Sequence, residues 1–362
     1  MHEKILLGMA CITGFWAGTA SAQSSITLFG YVDAAYGFQT WKNKSEGVKV
    51  HQSGLFNGIW NSNAWGIKGK EDLGQGLTAS FELESGFNVL NGSTSSSHYF
   101  KTAWVGLSSN EWGRVRMGRV GNAIQEYASF IAGISDEENF ADIENIFSAA
   151  GSNKANNTIV YKSPTFSGVD FSVGYSFDTN GSSGTSNDEK IKLITSAIGY
   201  SKGPLTLSLG YDRLHSSAWA KNVHSWVAVA GYDLKSVSLG AAMGQDINGR
   251  QSSLSSYLSN PAFATWGSGY VPDFKTTGLT FNATVPVGTA ASVMVGWSGS
   301  RASSGFHNAY NLDKRQQNIY SAGYTYNLSK RTSFYVIAAY ATGFAFQNVT
   351  AQQMFAGLDH SF

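Results

Sequence analysis

The chain has 362 residues, with Gly 41, Pro 5 and one Cys, and only 14% of its residues are charged, for a net charge of +1. A typical soluble domain is about 25% charged, and a near-neutral chain is a poor candidate for nucleic-acid binding by counterion release. The hydrophobic fraction of 42% excludes a disordered chain, no Gly-X-Y period suggests collagen, and the length admits two soluble domains or one large all-β unit.

The N-terminus reads as a targeting segment. Lys4 supplies positive charge, Ile5 to Ala17 is mostly apolar, and Ala20-Ser21-Ala22 forms a small-residue cleavage site before Gln23. The apolar run is shorter than the roughly 18 residues a spanning helix needs, which favours a cleaved signal peptide over residues 1–22 rather than an anchor. Cys11 lies inside that segment. Residues 23–362, with no cysteine, form one unit without a composition break.

From Ser25 onward the chain alternates with period two. The expected strands begin with Ile26–Phe38, a long loop to Gly58, then Ile59–Lys70 and a tight turn at Asp72-Leu73-Gly74. Leu77–Phe87 leads into the Gly/Ser-rich Asn91–Ser97, and Ala103–Leu107 turns at Asn110 into Gly113–Gly118. A long connection from Gly121 to about Asn157 follows, then Thr158–Lys162, Val169–Phe177, Ile191–Tyr200 and Leu205–Leu214. The pairs Val223–Tyr232 with Ser236–Gln245, Thr277–Val285 with Ala290–Trp297, and Asn318–Tyr326 with Thr332–Tyr340 precede a last strand, Gln353–Phe362. In Val169–Phe177, for instance, Val169, Phe171, Val173, Tyr175 and Phe177 share one face and Asp170, Ser172, Gly174 and Ser176 the other.

A soluble sandwich and a transmembrane barrel both use such strands. The segments approach the roughly 10 residues that a tilted membrane-crossing strand needs, against about 5–6 for ordinary strands. Glycines recur on the polar faces at positions 174, 210, 240 and 323, where a lumen or a loop must pass close. Short turns alternate with long loops, and the strand count is about sixteen. These features favour an all-β, transmembrane antiparallel barrel with both termini on the short-turn side. Trp226, Tyr232, Trp297 and Tyr326, near strand ends, suit the aromatic girdles of such a barrel.

Several blocks carry a family resemblance. Ile26-Thr27-Leu28-Phe29-Gly30-Tyr31-Val32-Asp33, Trp65-Gly66-Ile67-Lys68-Gly69 and Glu71-Asp72-Leu73-Gly74 resemble the opening signature of Gram-negative general porins. Val105-Gly106-Leu107, Gly113 to Arg119, Asn156-Asn157-Thr158 and Tyr161-Lys162-Ser163-Pro164 match further blocks, and Ala356 to Phe362 resembles the family's terminal strand with its final aromatic. The resemblance implies a homotrimer of sixteen-stranded barrels in the outer membrane, each with a constriction loop folded into its lumen, passing small hydrophilic solutes and ions passively. It implies no cofactor, and contacts only with lipid, solutes and further copies of the chain.

A barrel this wide cannot be filled by its own wall side chains, so selectivity requires something inside it. The connection Gly121–Asn157 is the natural candidate, with Asp136, Glu137, Glu138, Asp142 and Glu144 set among Phe130, Ile131, Phe140, Ile143 and Phe147. A solvated acidic surface loop is the alternative. Arg114 and Arg116 have the parity opposite to Val115 and Met117, and on a lipid face they would cost about 2–4 kcal/mol each at mid-depth. Lys68 shares the polar parity of Ala64 and Gly66. Arg119 follows Gly118, a bulge position, so parity does not orient it. The resemblance puts Arg119 at a basic position of the pore wall, with Lys154 near another. The expectation is a basic wall of Lys68, Arg114, Arg116, Arg119, Lys154 and Lys162 facing an acidic loop, a charge arrangement that sets ion preference where a pore narrows to about a Debye length. Ala64 and Val160 stand where a basic residue is common in the family, and the loop lacks its Pro-Glu-Phe-Gly pattern, which weakens the expectation of strong anion selectivity.

Other chemistry finds little support. The seven His are scattered without metal-ligand spacing, and no G-x-S-x-G, Walker or dinucleotide pattern occurs in a strand-to-helix setting. Glu82 and Glu84 share a strand face by alternation alone, as lumen-lining acids would. A general diffusion channel is therefore expected, with a solute-specific channel for an anion or small organic acid on the same barrel, or less readily a barrel enzyme or β-rich binding protein, as alternatives.

Overall fold

Long period-two segments persist only if every strand has a partner on each edge and a different surrounding on each face. The computed structural model, which describes residues 24–94, 99–128, 143–148, 154–181, 190–249 and 270–362, meets both conditions. Its strands are β1 (Ser25–Asn43), β2 (Val48–Asn57), β3 (Ala64–Gly74), β4 (Leu77–Gly86), β5 (Thr102–Ser109) and β6 (Gly113–Gly121). A short helix α1 (Gln125–Ala128) and a 3₁₀ turn (Ile143–Asn145) lie between β6 and β7 (Lys154–Lys162). Then come β8 (Val169–Ser176), β9 (Lys192–Lys202), β10 (Leu205–His215), β11 (Val223–Asp233), β12 (Ser238–Gly249), β13 (Tyr270–Val287) and β14 (Ala291–Ala302). Helix α2 (Ser304–Ala309), β15 (Gln316–Asn327), β16 (Thr332–Thr342) and β17 (Val349–Ser361) complete the order.

Every neighbouring pair is antiparallel, and β1 pairs with β17 from Tyr31↔Ser361 to Asn43↔Val349, closing the sheet. A sheet closed on itself leaves no second sheet to pack against, so the sandwich is excluded. The large aliphatic side chains of the strands are exposed on the outside, among them Leu28, Leu55, Ile198, Leu209, Val295 and Leu358, while Thr158, Ser176, Thr195, Asp212, Ser225 and Asp246 are buried inside. That inversion of a soluble protein's pattern marks a wall meant for lipid. The described residues contain no helix long and apolar enough to span a membrane, so crossing falls to the strands.

Seventeen strand segments make sixteen staves. The outer part of β1 pairs with β2 (Ala34↔Asn57 to Asn43↔Val48) and its other part with β3 (Ser25↔Lys70 to Tyr31↔Ala64), so β2 and β3 share one position in the wall. This corrects the expected long loop from residue 39 to Gly58 and the expected strand Ile59–Lys70. The chain continues as strand to Asn43, turns at residues 44–47 and returns as β2, whereas Gly58–Asn63 leaves the wall. Asp33 causes the break. Its buried carboxylate accepts the backbone N–H of Ile59 (3.3 Å), Trp60 (2.9 Å) and Asn61 (2.9 Å) and the Tyr335 hydroxyl (2.6 Å). Asn63 then donates to the Asp33 carbonyl at 2.8 Å. Side-chain acceptance of successive N–H groups satisfies backbone that has left the ladder.

The rim bearing both termini carries tight turns. At Gly74-Gln75-Gly76 all three residues have positive φ, 84°, 52° and 76°, which two glycines adopt without strain. Strands β6 and β7 run longer than the alternation suggests, with a register shift between Gly118 and Val120 where a bulge is expected.

Candidate functional site

The described parts of the segment between β6 and β7 lie inside the barrel. Ala123, Ile124, Tyr127 and Ala128, with Ile143, Ile146 and Phe147, join a buried cluster that includes Ala197, Val227, Val229, Ala242 and Ile319 of the inner wall. The wall has been hollowed to seat them. A β-carbon at Gly210 would lie 2.4 Å from Ile124, one at Gly199 would lie 2.5 Å from the Tyr127 ring, and those at Gly244 and Gly278 would lie 2.9 and 2.7 Å from the Phe147 ring. Of the polar-face glycines, Gly210 thus has the close neighbour that alternation led us to expect. Gly240 faces Asn282 and Gly174 faces Val160 of the wall itself.

Polar contacts fix both described pieces. Asn122 donates to Asp212 at 2.8 Å, the Ala123 N–H to Thr195 at 2.9 Å, and Ser208 to the Tyr127 carbonyl at 3.0 Å. Further round the wall, Ser148 donates to Asp246 of β12 at 2.7 Å, Ser225 of β11 donates to the same carboxylate at 2.6 Å, and Gln317 of β15 donates to the Asn145 carbonyl at 2.7 Å. Each acceptor or donor comes from the inward face of a strand, and its burial with a partner avoids the cost of an unsatisfied polar group.

Anchoring α1 on β9 and β10 in this way presents Glu126 to the neighbouring strands β6 and β7. Its Oε1 receives Arg114 and, at 2.6 Å, Arg116, and its Oε2 lies 3.1 Å from Lys162 Nζ. Arg114 and Lys162 are register partners across β6 and β7. Lys162 also lies 3.6 Å from Asp170 of β8 and 4.7 Å from the centroid of the Tyr127 ring, while the Tyr127 hydroxyl donates to Asp170. Arg116 stands 5.4 Å from the Trp104 ring centroid. Burial draws the Glu126 carboxyl upward, but the charges of Arg116, Arg114 and Lys162 outweigh it and hold the group below the usual carboxylate range. Burial and the bond to Asp170 push the Tyr127 phenol upward.

The six expected basic residues separate into groups. Arg114, Arg116 and Lys162 converge on Glu126. Lys68 sits above the Phe29 ring at 4.9 Å, opposite Glu82 in register. Lys154, Lys68 and Arg116 all lie within electrostatic reach of Glu82, and Lys101 pairs with Glu84 at 2.9 Å. Arg119, beyond the bulge, donates to the Lys101 carbonyl (3.1 Å) and to Asn156 Oδ1 (2.8 Å), tying the residue before β5 to β7. Its guanidinium has no carboxylate partner among the described residues. Of the expected acids, Asp136, Glu137, Glu138 and Asp142 lie outside the described residues, as does the side chain of Glu144. The acid that meets the basic wall, Glu126, was not singled out. It stands alone in Gln125-Glu126-Tyr127, ahead of the conspicuous acidic run, and only its place in the same connection marked it. Among the described residues no group of His, Cys, Asp and Glu could hold a metal ion.

Comparison with known proteins agrees with this geometry. Residues 8–343 match the family model described as Gram-negative porin. The chain is similar to an outer membrane porin protein of Bordetella pertussis, 30% identical over 393 residues that cover 99% of this chain and 100% of that one. Its fold is similar to that of an anion-selective porin from Comamonas acidovorans, with a TM-score of 0.69 at 23% identity, covering 94% of this chain and 100% of the other. It is also similar to OmpT of Vibrio cholerae in its trimer form, with a TM-score of 0.64 at 11% identity and coverages of 94% and 99%.

Proposed function

The chain belongs to the Gram-negative porin family, and on that premise we propose that α1, the charges facing it and the acids of β4 form the selectivity filter of its pore. As a porin it resides in the outer membrane and lets ions and small hydrophilic solutes diffuse passively through a closed antiparallel barrel. The filter favours anions modestly. The observation that carries this reading is an imbalance on the wall from β3 to β8. Lys68, Lys101, Arg114, Arg116, Lys154 and Lys162 face Glu82, Glu84, Glu126 and Asp170, so six cations meet four carboxylates. Glu126 alone offsets much of the three-cation group, which keeps the preference modest. The anion-selective porin with a similar fold supports the same sign.

Purified channel in a planar bilayer under a salt gradient tests this directly. A zero-current potential of the sign for anions is expected, and a cation-selective potential would overturn the reading. The connection 121–157 acts in this reading as the constriction loop, narrowing the lumen enough for fixed charges to act over the roughly 8 Å screening length of physiological salt.

The functional unit is a homotrimer. The trimer form of the similarly folded OmpT supports it, as does β2, which pairs with β1 and has no strand on its other edge among the described residues. An open edge of this kind needs cover. An oligomer band that collapses to monomer on heating in a denaturing gel is expected, and monomer alone in unheated native extracts would exclude the trimer.

A further inference from the structure

Among the described residues three cations stand over aromatic rings, and all three pairs lie inside the lumen. Lys68 Nζ is 4.9 Å from the centroid of the Phe29 ring, the Arg116 guanidinium 5.4 Å from that of Trp104, and Lys162 Nζ 4.7 Å from that of Tyr127. The first two pairs belong to one stretch of wall. Phe29 is opposite Gly66 in the ladder, and a β-carbon at Gly66 would meet the Phe29 ring at 2.7 Å, so the ring lies across the glycine on the lumen side. Lys68, Glu82 and Trp104 follow one another in a single row across β3, β4 and β5. At about 4.8 Å per strand, the Lys68 and Trp104 positions are about 10 Å apart.

These rings are left open where others are packed away. Trp41, Phe147, Tyr335, Phe344 and Phe355 are buried against the inner wall. Beside Lys68, by contrast, Phe29 and Trp104 are half-buried, and Tyr31, which shares the inward parity of Phe29 and Asp33, is 38% exposed. Lys68 is itself exposed and has no carboxylate at ion-pair distance among the described residues. The acid opposite it, Glu82, also faces Lys154 and Arg116. Open rings beside a cation with charge to spare are complementary to a planar aromatic anion. The ammonium receives the carboxylate by a charge-assisted hydrogen bond, and the wall rings receive the solute's ring by offset or edge contacts that exceed simple area burial. Rings that served only to orient the cations would treat aromatic and saturated acids alike, so the two roles separate by experiment.

We propose that Lys68, Phe29, Tyr31 and Trp104 form a transit site for small aromatic carboxylates, with the carboxylate on Lys68 and the solute's ring against Phe29 or Trp104. The inference rests on the filter reading above, since it takes this stretch of wall to line the permeation path. It adds a selection by ring to the selection by charge. The site raises the concentration of aromatic acids in the pore above that of aliphatic acids of equal charge.

The test adds benzoate, cyclohexanecarboxylate or benzyl alcohol to native channel in a planar bilayer in KCl and reads the concentration that halves the current. Cyclohexanecarboxylate has the charge and nearly the size of benzoate without its aromatic ring, and benzyl alcohol has the ring without the charge. Benzoate should reach half-block at about a fivefold lower concentration than cyclohexanecarboxylate, the ratio one favourable aromatic pair supplies, and benzyl alcohol should not block. In Phe29→Leu/Trp104→Leu, checked for folding by its heat-dependent gel band, the two acids should block alike, and Lys68→Gln should weaken block by both. Equal block by the two acids in the native channel would overturn the proposal whether or not the variants fold. So would a ratio that survives loss of both rings, or block by benzyl alcohol as strong as by benzoate. The zero-current potential in KCl alone reports on the filter reading. A cation-selective potential would sink that reading, whereas an anion-selective channel indifferent to the ring would sink this inference only.

Discussion

Glu126 and Lys162 stand 36 positions apart in the chain, one on a helix within the lumen and one on the barrel wall, yet Oε2 and Nζ are 3.1 Å apart. The same carboxylate takes Arg114 and Arg116. One acid thus holds the inner segment against three cations and lowers the positive potential those cations present to the pore.

Removing that acid should expose the cations. In Glu126→Gln the anion preference rises, and the zero-current potential moves further toward the chloride equilibrium value. A unit charge at about 4 Å in water is worth about 1 kcal/mol, or about a fivefold change in the permeability ratio. An unchanged potential would mean that Glu126 does not face the permeation path.

The pH dependence has a definite sign. The Glu126 carboxyl is held below the usual range, so its ion pairs are fully formed above the ordinary carboxylate value and are lost only as pH falls through the depressed one. The filter's contribution to selectivity therefore persists into mild acid, and anion preference rises at lower pH. Recording reversal potentials of native channel and Glu126→Gln from neutral pH to pH ~3 checks this. The acid-induced rise assigned to Glu126 must be missing from the variant.

Seating of the inner segment depends on an absent side chain. In Gly210→Val the added atoms meet Ile124, whose side chain already occupies the space a β-carbon would take. Overpacking of this type costs about 1–3 kcal/mol, and the segment relieves it by moving toward the pore axis. Single-channel conductance is expected to fall, whereas Gly203→Asn, at a turn glycine with φ 61° and no neighbour within 4 Å, should leave conductance near the native level, since asparagine tolerates the left-handed region.

Asp33 tests the wall rather than the filter. Asp33→Ala leaves three N–H groups and the Tyr335 hydroxyl without their acceptor, at about 1–3 kcal/mol for each buried group left unpaired. Tyr335→Phe removes one donor and leaves the carboxylate its three backbone partners. The temperature at which the folded gel band is lost should drop in both, and further in Asp33→Ala.

Most of the wall was legible because period two has a single geometric meaning. Arg114 and Arg116 could be assigned to the lumen from the parity of Val115 and Met117 alone, and Met117 is exposed on the outside as that parity requires. The reading failed at β2 because the alternation there has the opposite sense. Val48 and Val50 face inward against the cluster around Trp41, while Lys49 and His51 face outward. At the outer rim the outside is headgroup and water, so the rule that apolar means lipid no longer holds. It failed again at Gly58–Asn63, since a strand that leaves the wall to cap one buried aspartate has no period to detect. Glu126 escaped notice for a related reason. Its partners come from β6 and β7, and only the fold of the intervening segment decides which of several acids reaches them.

The pairing of β1 with β17 has a consequence for how the molecule is made. The first strand to leave the ribosome has the last one as its partner, and Asp33 awaits a hydroxyl 302 positions further on. Contacts of such separation form late and slowly. No N-terminal fragment can complete its own perimeter, so nascent chain must be delivered whole and kept unassembled until its final residues arrive. Premature termination, even a few codons from the end, would then leave an unclosed sheet with two raw edges for quality control to destroy.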